Sequence, residues 1–395
     1  MAPASLGARR NIALLGAFNF CNDFRVYAPI MVVYFAGVTG SFALGTLVLS
    51  IAKIAACAFE VPTGVFSDLI GRRRTLLLGQ LASVASIAAY ALAHGIVLLA
   101  VGAVLEGLAF SFFSGNNEAL LYDTLKADAA ESHYGEWQGR VSALFQFALA
   151  VSAAVALIAL YFHVSLRTLF AVSLAPQILG IAFALLLAEP RRSGAIPSNI
   201  FAHLGAALAA FRRDIKLRDL SVATMLGYAL GEGKHMFQPA FFALLWPAWA
   251  LGLAGVLIHG LGAVGFRFGG VLIRRFGELP VLFGSSVGGI AAGIGALSIS
   301  GVASPAIISL ASIFYGPSMV AQNALTQRAF TDAQRATMAS LISFGGSLLY
   351  AAAVLAIGAL ADRIGPRFAL LTAEFLSIPV LVLYWKLYRA SRVAA

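Results

Sequence analysis

Charged residues are scarce in this chain. They make up 11% of its 395 residues, while 60% are hydrophobic; soluble domains carry roughly 25% charge. So few charges cannot coat a water-facing surface of this size. That excludes an ordinary soluble globule and points to lipid as the solvent. Cysteine is scarcer still. Cys21 and Cys57 both sit in apolar stretches, which excludes a disulfide framework or a Cys-based metal or redox motif and leaves small apolar residues. The six histidines are scattered, so the sequence offers neither a metal constellation nor a Cys–His dyad. The glycine-rich run from Gly284 to Gly295 has the small-residue spacing of packed helices, not that of a nucleotide loop. An enzyme is therefore not expected, nor a cofactor. Any uphill work must draw on an ion gradient or on the solute's own. The short start ending in Arg9-Arg10 precedes no cleavage pattern, so the first apolar stretch reads as a retained helix.

Long apolar runs fill the chain instead. Crossing the hydrocarbon core takes about 20 apolar residues. Twelve stretches qualify: 11–36, 42–67, 75–94, 96–122, 139–162, 167–188, 219–246, 249–273, 279–300, 304–327, 336–361 and 367–387. Lys and Arg set their orientation, because cytoplasmic loops collect positive charge. With the N terminus in the cytoplasm, 20 of the 27 Lys and Arg fall on the cytoplasmic side, three (Arg167, Arg363, Arg367) outside, and four within spans. The net charge of +10 is thus a topology signal and not a nucleic-acid footprint. The expected location is the cell (inner or plasma) membrane, multi-pass, with both termini cytoplasmic.

The longest polar stretch, 189–218, divides the spans six and six. It reads as a cytoplasmic linker between an N-terminal bundle (1–188) and a C-terminal bundle (219–395), and Phe201 to Phe211 within it fits an amphipathic interfacial helix. The halves repeat. Phe24-Arg25-Val26-Tyr27-Ala28-Pro29 matches Lys234-His235-Met236-Phe237-Gln238-Pro239, Gly64 and Gly71 match Gly270 and Gly277, and Glu118-Ala119-Leu120 matches Asn323-Ala324-Leu325. The offsets drift only from 210 to 205, as a duplication predicts.

After the second span the chain reads Gly64-Val65-Phe66-Ser67-Asp68-Leu69-Ile70-Gly71-Arg72-Arg73-Arg74. This resembles the loop motif of the major facilitator superfamily, Gly-x-x-x-Asp-basic-x-Gly-basic-basic, with Leu69 in a usually basic place. A degenerate second copy runs from Gly270 to Gly277. The resemblance implies an all-α integral membrane fold of twelve transmembrane helices in two pseudo-symmetric six-helix bundles. Its two parallel repeats would frame a central substrate site. It also implies a conformational latch made of Gly64, Asp68, Gly71, Arg72, Arg73 and Asp123. Gly64 would let another helix come close. Asp68 would face the helix start near Thr337, and Arg72 would pair with Asp123. The end of span 4, Ser114 to Asp123, is similar to a segment of bacterial efflux-like subgroups.

Ionisable residues inside spans are expensive and default to functional candidates. Asp23 and Arg25 lie in span 1, Lys53 and Glu60 in span 2, Glu118 in span 4, and Glu232, Lys234 and His235 in span 7. Asp23, Glu118 and Glu232 are the proton-carrier candidates. Arg25, Lys53 and Lys234 are the anion contacts. Residues two apart on a helix face different ways, so Arg25 and Lys234 are expected to look across to other helices. Glu106, His259, Arg267 and Glu374 read as structural, and Tyr27, Phe113, Tyr122 and Phe237 as aromatic packing. The alternative for the whole set is salt bridging between helices. The expected function is secondary transport of a small polar or amphiphilic solute, coupled to protons or another ion, exporting, by a single chain in the bilayer. The alternatives are uptake by symport or facilitated diffusion, and a non-transporting receptor or assembly partner of the same fold.

Overall fold

A computed structural model describes residues 5–130, 133–189, 215–299, 301–329 and 332–393. Most of the expected linker, including Phe201 to Phe211, lies outside the described residues, as do the side chains of Asp68 and Thr337. Every regular element among the described residues is helical: α1 (Leu6–Asp23), a 3-10 turn (Ala28–Ile30), α2 (Met31–Thr39), α3 (Phe42–Ile70), α4 (Arg72–Leu92), α5 (Ile96–Phe113), α6 (Asn116–Ala127), α7 (Tyr134–Tyr161), α8 (Leu166–Leu186), α9 (Ile215–Phe242), α10 (Ala248–Phe276), α11 (Glu278–Ile299), α12 (Ser304–Ala311), a 3-10 turn (Ser312–Phe314), α13 (Tyr315–Ala329), α14 (Asp332–Leu376) and α15 (Ile378–Val393). In lipid a helix satisfies its own backbone polar groups, which is why apolar runs of this length take no other form.

Each of the twelve expected spans falls on these helices. Eight helical stretches among the described residues are long and apolar enough to cross a bilayer. One of them, Ser340–Ala390, holds two spans that meet at a kink, where Gly365 has φ +82°. The others are masked by interruption, length or charge. Span 1 is divided between α1 and α2. The apolar part of α7 is short, Phe147–Tyr161. Helix α9 carries Glu232, Lys234 and His235. Spans 4 and 10 are each made of two helices; Gly115, with φ +70°, separates α5 from α6.

Contacts group the chain into two units. The first holds Met1–Gly40, Ile51–Ala195 and Ala248–Leu253, and the second Ser41–Ser50, Ile196–Pro247 and Ala254–Ala395. Each unit takes most of its residues from one half of the chain, except at two helix starts. The first turns of α3 join the second unit, and those of α10 join the first. The α3 exception has a visible cause. Asp362 accepts from the Phe42 and Ala43 amides at 2.7 and 3.0 Å and from the Ser41 hydroxyl, and Ser50 Oγ donates to the Ala351 carbonyl at 2.7 Å.

In the first unit α4 lies against α5 and α8, and α1 against α8 and α7. One apolar core joins Ile12, Leu15, Phe18, Leu76, Phe113, Leu120 and Leu121. A second core is aromatic. Phe170 sits 4.3 Å from the Tyr27 ring and 4.5 Å from the Tyr34 ring, and Phe35 sits 4.9 Å from Tyr90. In the second unit α9 lies along α14, and α11 meets α12, α13, α14 and α15. Its core joins Ala223, Val281, Leu282, Ala321, Val380 and Tyr384. Gly71 and Gly277, matched in the repeat, both take left-handed backbone (φ +98° and +85°) just before α4 and α11. A side chain at either place would be strained.

Candidate functional site

Span 1 does not cross as one helix. Helix α1 ends at Asp23, and the chain passes through a turn at Val26-Tyr27 and the 3-10 segment before resuming as α2. Pro29 supplies no N–H for a helical bond to Arg25. The freed groups are taken by α8. The Val26 amide donates to Ser173 Oγ at 3.0 Å. Gln177 Nε2 donates to the Asn22 carbonyl at 2.7 Å and the Cys21 carbonyl at 3.2 Å.

Arg25 is held at this interruption. Its Nε donates to the Asn22 carbonyl at 3.1 Å, and its Nη1 lies 3.6 Å from Glu106 Oε1 of α5. Glu106 in turn accepts from the Tyr90 hydroxyl at 2.7 Å. Both members of the Arg25–Glu106 pair keep about a quarter of their side-chain surface open (28% and 23%). The pair is therefore neither short nor closed off. Asp23 is partly buried beside it, and Asn22 contributes a buried Oδ1 with no protein partner among the described atoms. One turn along α5 from Glu106, the Phe110 ring lies under Lys53 Nζ of α3 at 5.1 Å. Glu60, further along α3, is exposed.

The second unit treats its cation differently. Lys234 Nζ lies 2.6 Å from Glu374 Oε2 and 3.1 Å from Ser377 Oγ, and both charged side chains are nearly closed off (12% and 9% open). Gly293 of α11 makes the room: a Cβ there would come within 2.5 Å of Glu374 Oε1. Lys234, expected as an anion contact, is occupied by a buried carboxylate. Glu232 and His235, also on α9, are partly buried. His235 stands edge-on to His259 of α10, ring centroids 6.5 Å apart, and Tyr315 of α13 is within electrostatic reach of Glu232.

At the start of α4, Arg72 Nε lies 3.2 Å from Asp123 Oδ2 and its Nη1 3.0 Å from Asn116 Oδ1. It thereby bridges the first residue of α6 and one about two turns further on. Ser67 Oγ donates to the same Asn116 oxygen. The Arg72 and Arg73 amides donate to the two oxygens of Glu189 at 2.9 and 2.7 Å, so a carboxylate caps the start of α4. Arg73 also donates to the Leu185 carbonyl at 2.6 Å. A Cβ on Gly64 would meet nothing within 4 Å, so the close helix approach expected there is not what the described atoms contain. Glu118 is exposed in the first turn of α6, within electrostatic reach of Tyr134. Asp128, just beyond α6, has its carboxyl held below the ordinary range by the Ser5 amide and hydroxyl.

Arg25 and Lys234 stand out in the sequence, but their partners do not: Glu106 and Glu374 read as structural, and nothing local marks Gln177, Ser173, Glu189 or Asn116. An acid inside a span was the available signal for the first two. For the amides and hydroxyls there was none, because polar uncharged residues are common in membrane helices.

The family model described as Major Facilitator Superfamily matches residues 13–354. No curated protein matches the sequence. Among solved structures, the chain is similar to a variant of the nucleoside transporter NupG, with TM-score 0.81, 14% identity, and 96% of this chain and 100% of that one covered. It is also similar to the POT family transporter PepTSo, with TM-score 0.78, 11% identity, and 98% and 99% covered. A third likeness is to a D-xylose–proton symporter, with TM-score 0.71, 13% identity, and 96% and 97% covered. At such identities these likenesses carry the fold. Together with the family match across most of the chain, they make this protein a multi-pass transporter-fold member of the Major Facilitator Superfamily.

Proposed function

We propose that the protein exports a small polar or amphiphilic organic solute across the cell membrane in exchange for protons, by alternating access. The observation that carries this reading is the partly open Arg25–Glu106 pair at the interruption of span 1, with Asp23 beside it. A cation paired this loosely is available to a carboxylate or phosphate on a solute. Lys234 is not, because its partner is closer and both are closed off. In this reading Arg25 and Lys53 contact the solute's anionic part. Asp23, Glu118 and Glu232 carry protons, with His235 beside Glu232. Asp23 is partly buried and Glu118 exposed. Glu60 serves as a polar group on the same path. Gly64, Asp68, Gly71, Arg72, Arg73 and Asp123 take the latch role that the family motif implies. The membrane is the cell or inner membrane, with both termini in the cytoplasm.

Export is preferred on the likeness of residues 114–123 to efflux-like subgroups. Uptake by symport is the second reading, favoured by likeness to a structure named a proton symporter. Proteoliposomes carrying an imposed pH gradient separate them by the direction of solute flux. In the same assay, Asp23→Asn and Glu232→Gln are expected to cut gradient-driven flux by about tenfold or more, equivalent to about 1.4 kcal/mol. Glu118→Gln belongs in the same set. Unchanged flux in all three variants would remove the proton-carrier assignment.

A further inference from the structure

The interruption of span 1 is not a consequence of proline alone. Pro239 stands at the matching place in span 7, yet α9 runs through it without a break from Ile215 to Phe242. The difference lies in what α8 offers span 1. Gln177 is fully buried, and every polar atom of its side chain is used. Its amide nitrogen donates to the carbonyls of Cys21 and Asn22, which a continuous helix would have bonded to residues 25 and 26. Its oxygen accepts from Gln80 Nε2 at 2.8 Å and Ser83 Oγ at 3.0 Å, both on α4. Ser173, one turn earlier on α8 and also fully buried, takes the Val26 amide. One face of α8 thus holds both sides of the break, and α4 fixes the angle of that grip.

The geometry points to Gln177, supported by Ser173, as a positioning residue that keeps span 1 interrupted and thereby aims Arg25 and Asp23. The inference rests on the proposed role of Arg25 and Asp23, and it adds the group that sets their geometry. Without the Gln177 donor, the Cys21 carbonyl loses its partner and the Asn22 carbonyl keeps only the Arg25 Nε. The cheapest remedy is for the chain to rewind toward a helix, which turns Arg25 away from Glu106. Buried polar groups left unpaired are costly enough to drive such a change.

A native reporter sits inside the grip. Cys21 is 5% exposed and its carbonyl is one of the two held. In a Cys57→Ser background it is the chain's single thiol. Two readouts are taken on full-length protein in liposomes: the rate of N-ethylmaleimide labelling at Cys21, and the concentration dependence of proton movement driven by a solute active in the wild type. Gln177→Leu is expected to speed labelling about tenfold and to raise the half-saturating concentration about tenfold, with the maximal rate within about twofold; a lost buried hydrogen bond is of this size. Ser83→Ala, which leaves the donor to span 1 in place, is expected to change neither by more than about twofold. If Gln177→Leu does not fold, Ser173→Ala is read by the same criteria. Unchanged labelling would overturn the grip, and faster labelling with unchanged half-saturation would overturn the positioning role. If no solute moves protons in the wild type, the transport reading fails, while the labelling rates still decide whether Gln177 holds the break.

Discussion

Lys234 and Arg25 show how far a single residue can be read before its neighbours are known. Both stood out as cations where lipid should be, and helical spacing indicated that neither would be neutralised by the acid two positions away. Their partners were not legible, because Glu374 lies 140 positions from Lys234 and nothing local marks which distant acid faces which cation. Burial then separates them. The Lys234–Glu374 pair is short and closed, so removing one partner strands a charge. Glu374→Leu is expected to destabilise the protein by about 3–5 kcal/mol, whereas the double change Lys234→Met with Glu374→Leu recovers most of that. Thermal unfolding in detergent measures both. Equal loss in the single and double variants would mean that the pair's packing, and not its charge, matters there. Gly293→Ala is expected to act like the single change, since its Cβ would occupy the space of the Glu374 carboxylate.

Among the elements, lengths and order follow from hydropathy, and twelve long apolar runs become helices because a helix bonds all its backbone groups within one segment. The interruptions are less legible. Gly115 is a local cue for the division of span 4, as left-handed backbone favours glycine. Span 1 carries the same proline as span 7, and the polar contacts from Ser173 and Gln177 of α8 are found at span 1. Helix starts are similar. The carboxylates of Glu189 and Asp362 sit on the first amides of α4 and α3 from far along the chain. Each is an N-terminal cap supplied by tertiary contact. Glu189→Ala and Asp362→Ala are each expected to weaken the helix start they serve by about 1 kcal/mol. Hydrogen exchange at Arg72 and Arg73, or at Phe42 and Ala43, would then speed up locally. Exchange that rises throughout the protein, or nowhere, would contradict a local cap.

For the whole molecule, composition and the placement of Lys and Arg were enough to indicate a membrane protein of twelve spans in two repeats. The loop at Gly64–Arg74 was enough to indicate the family. That much is legible because lipid imposes length, hydropathy and charge asymmetry on every span. The solute is not legible, since it is chosen by a few side chains whose partners come from other helices. The central claim is coupled transport. Its most direct test is to place the purified chain in liposomes loaded with a pH-sensitive dye and to add candidate anionic and zwitterionic solutes one at a time. The account predicts proton movement that depends on one of these solutes and is lost in Arg25→Gln. Solute flux with no proton movement, or proton movement indifferent to every solute, would contradict it.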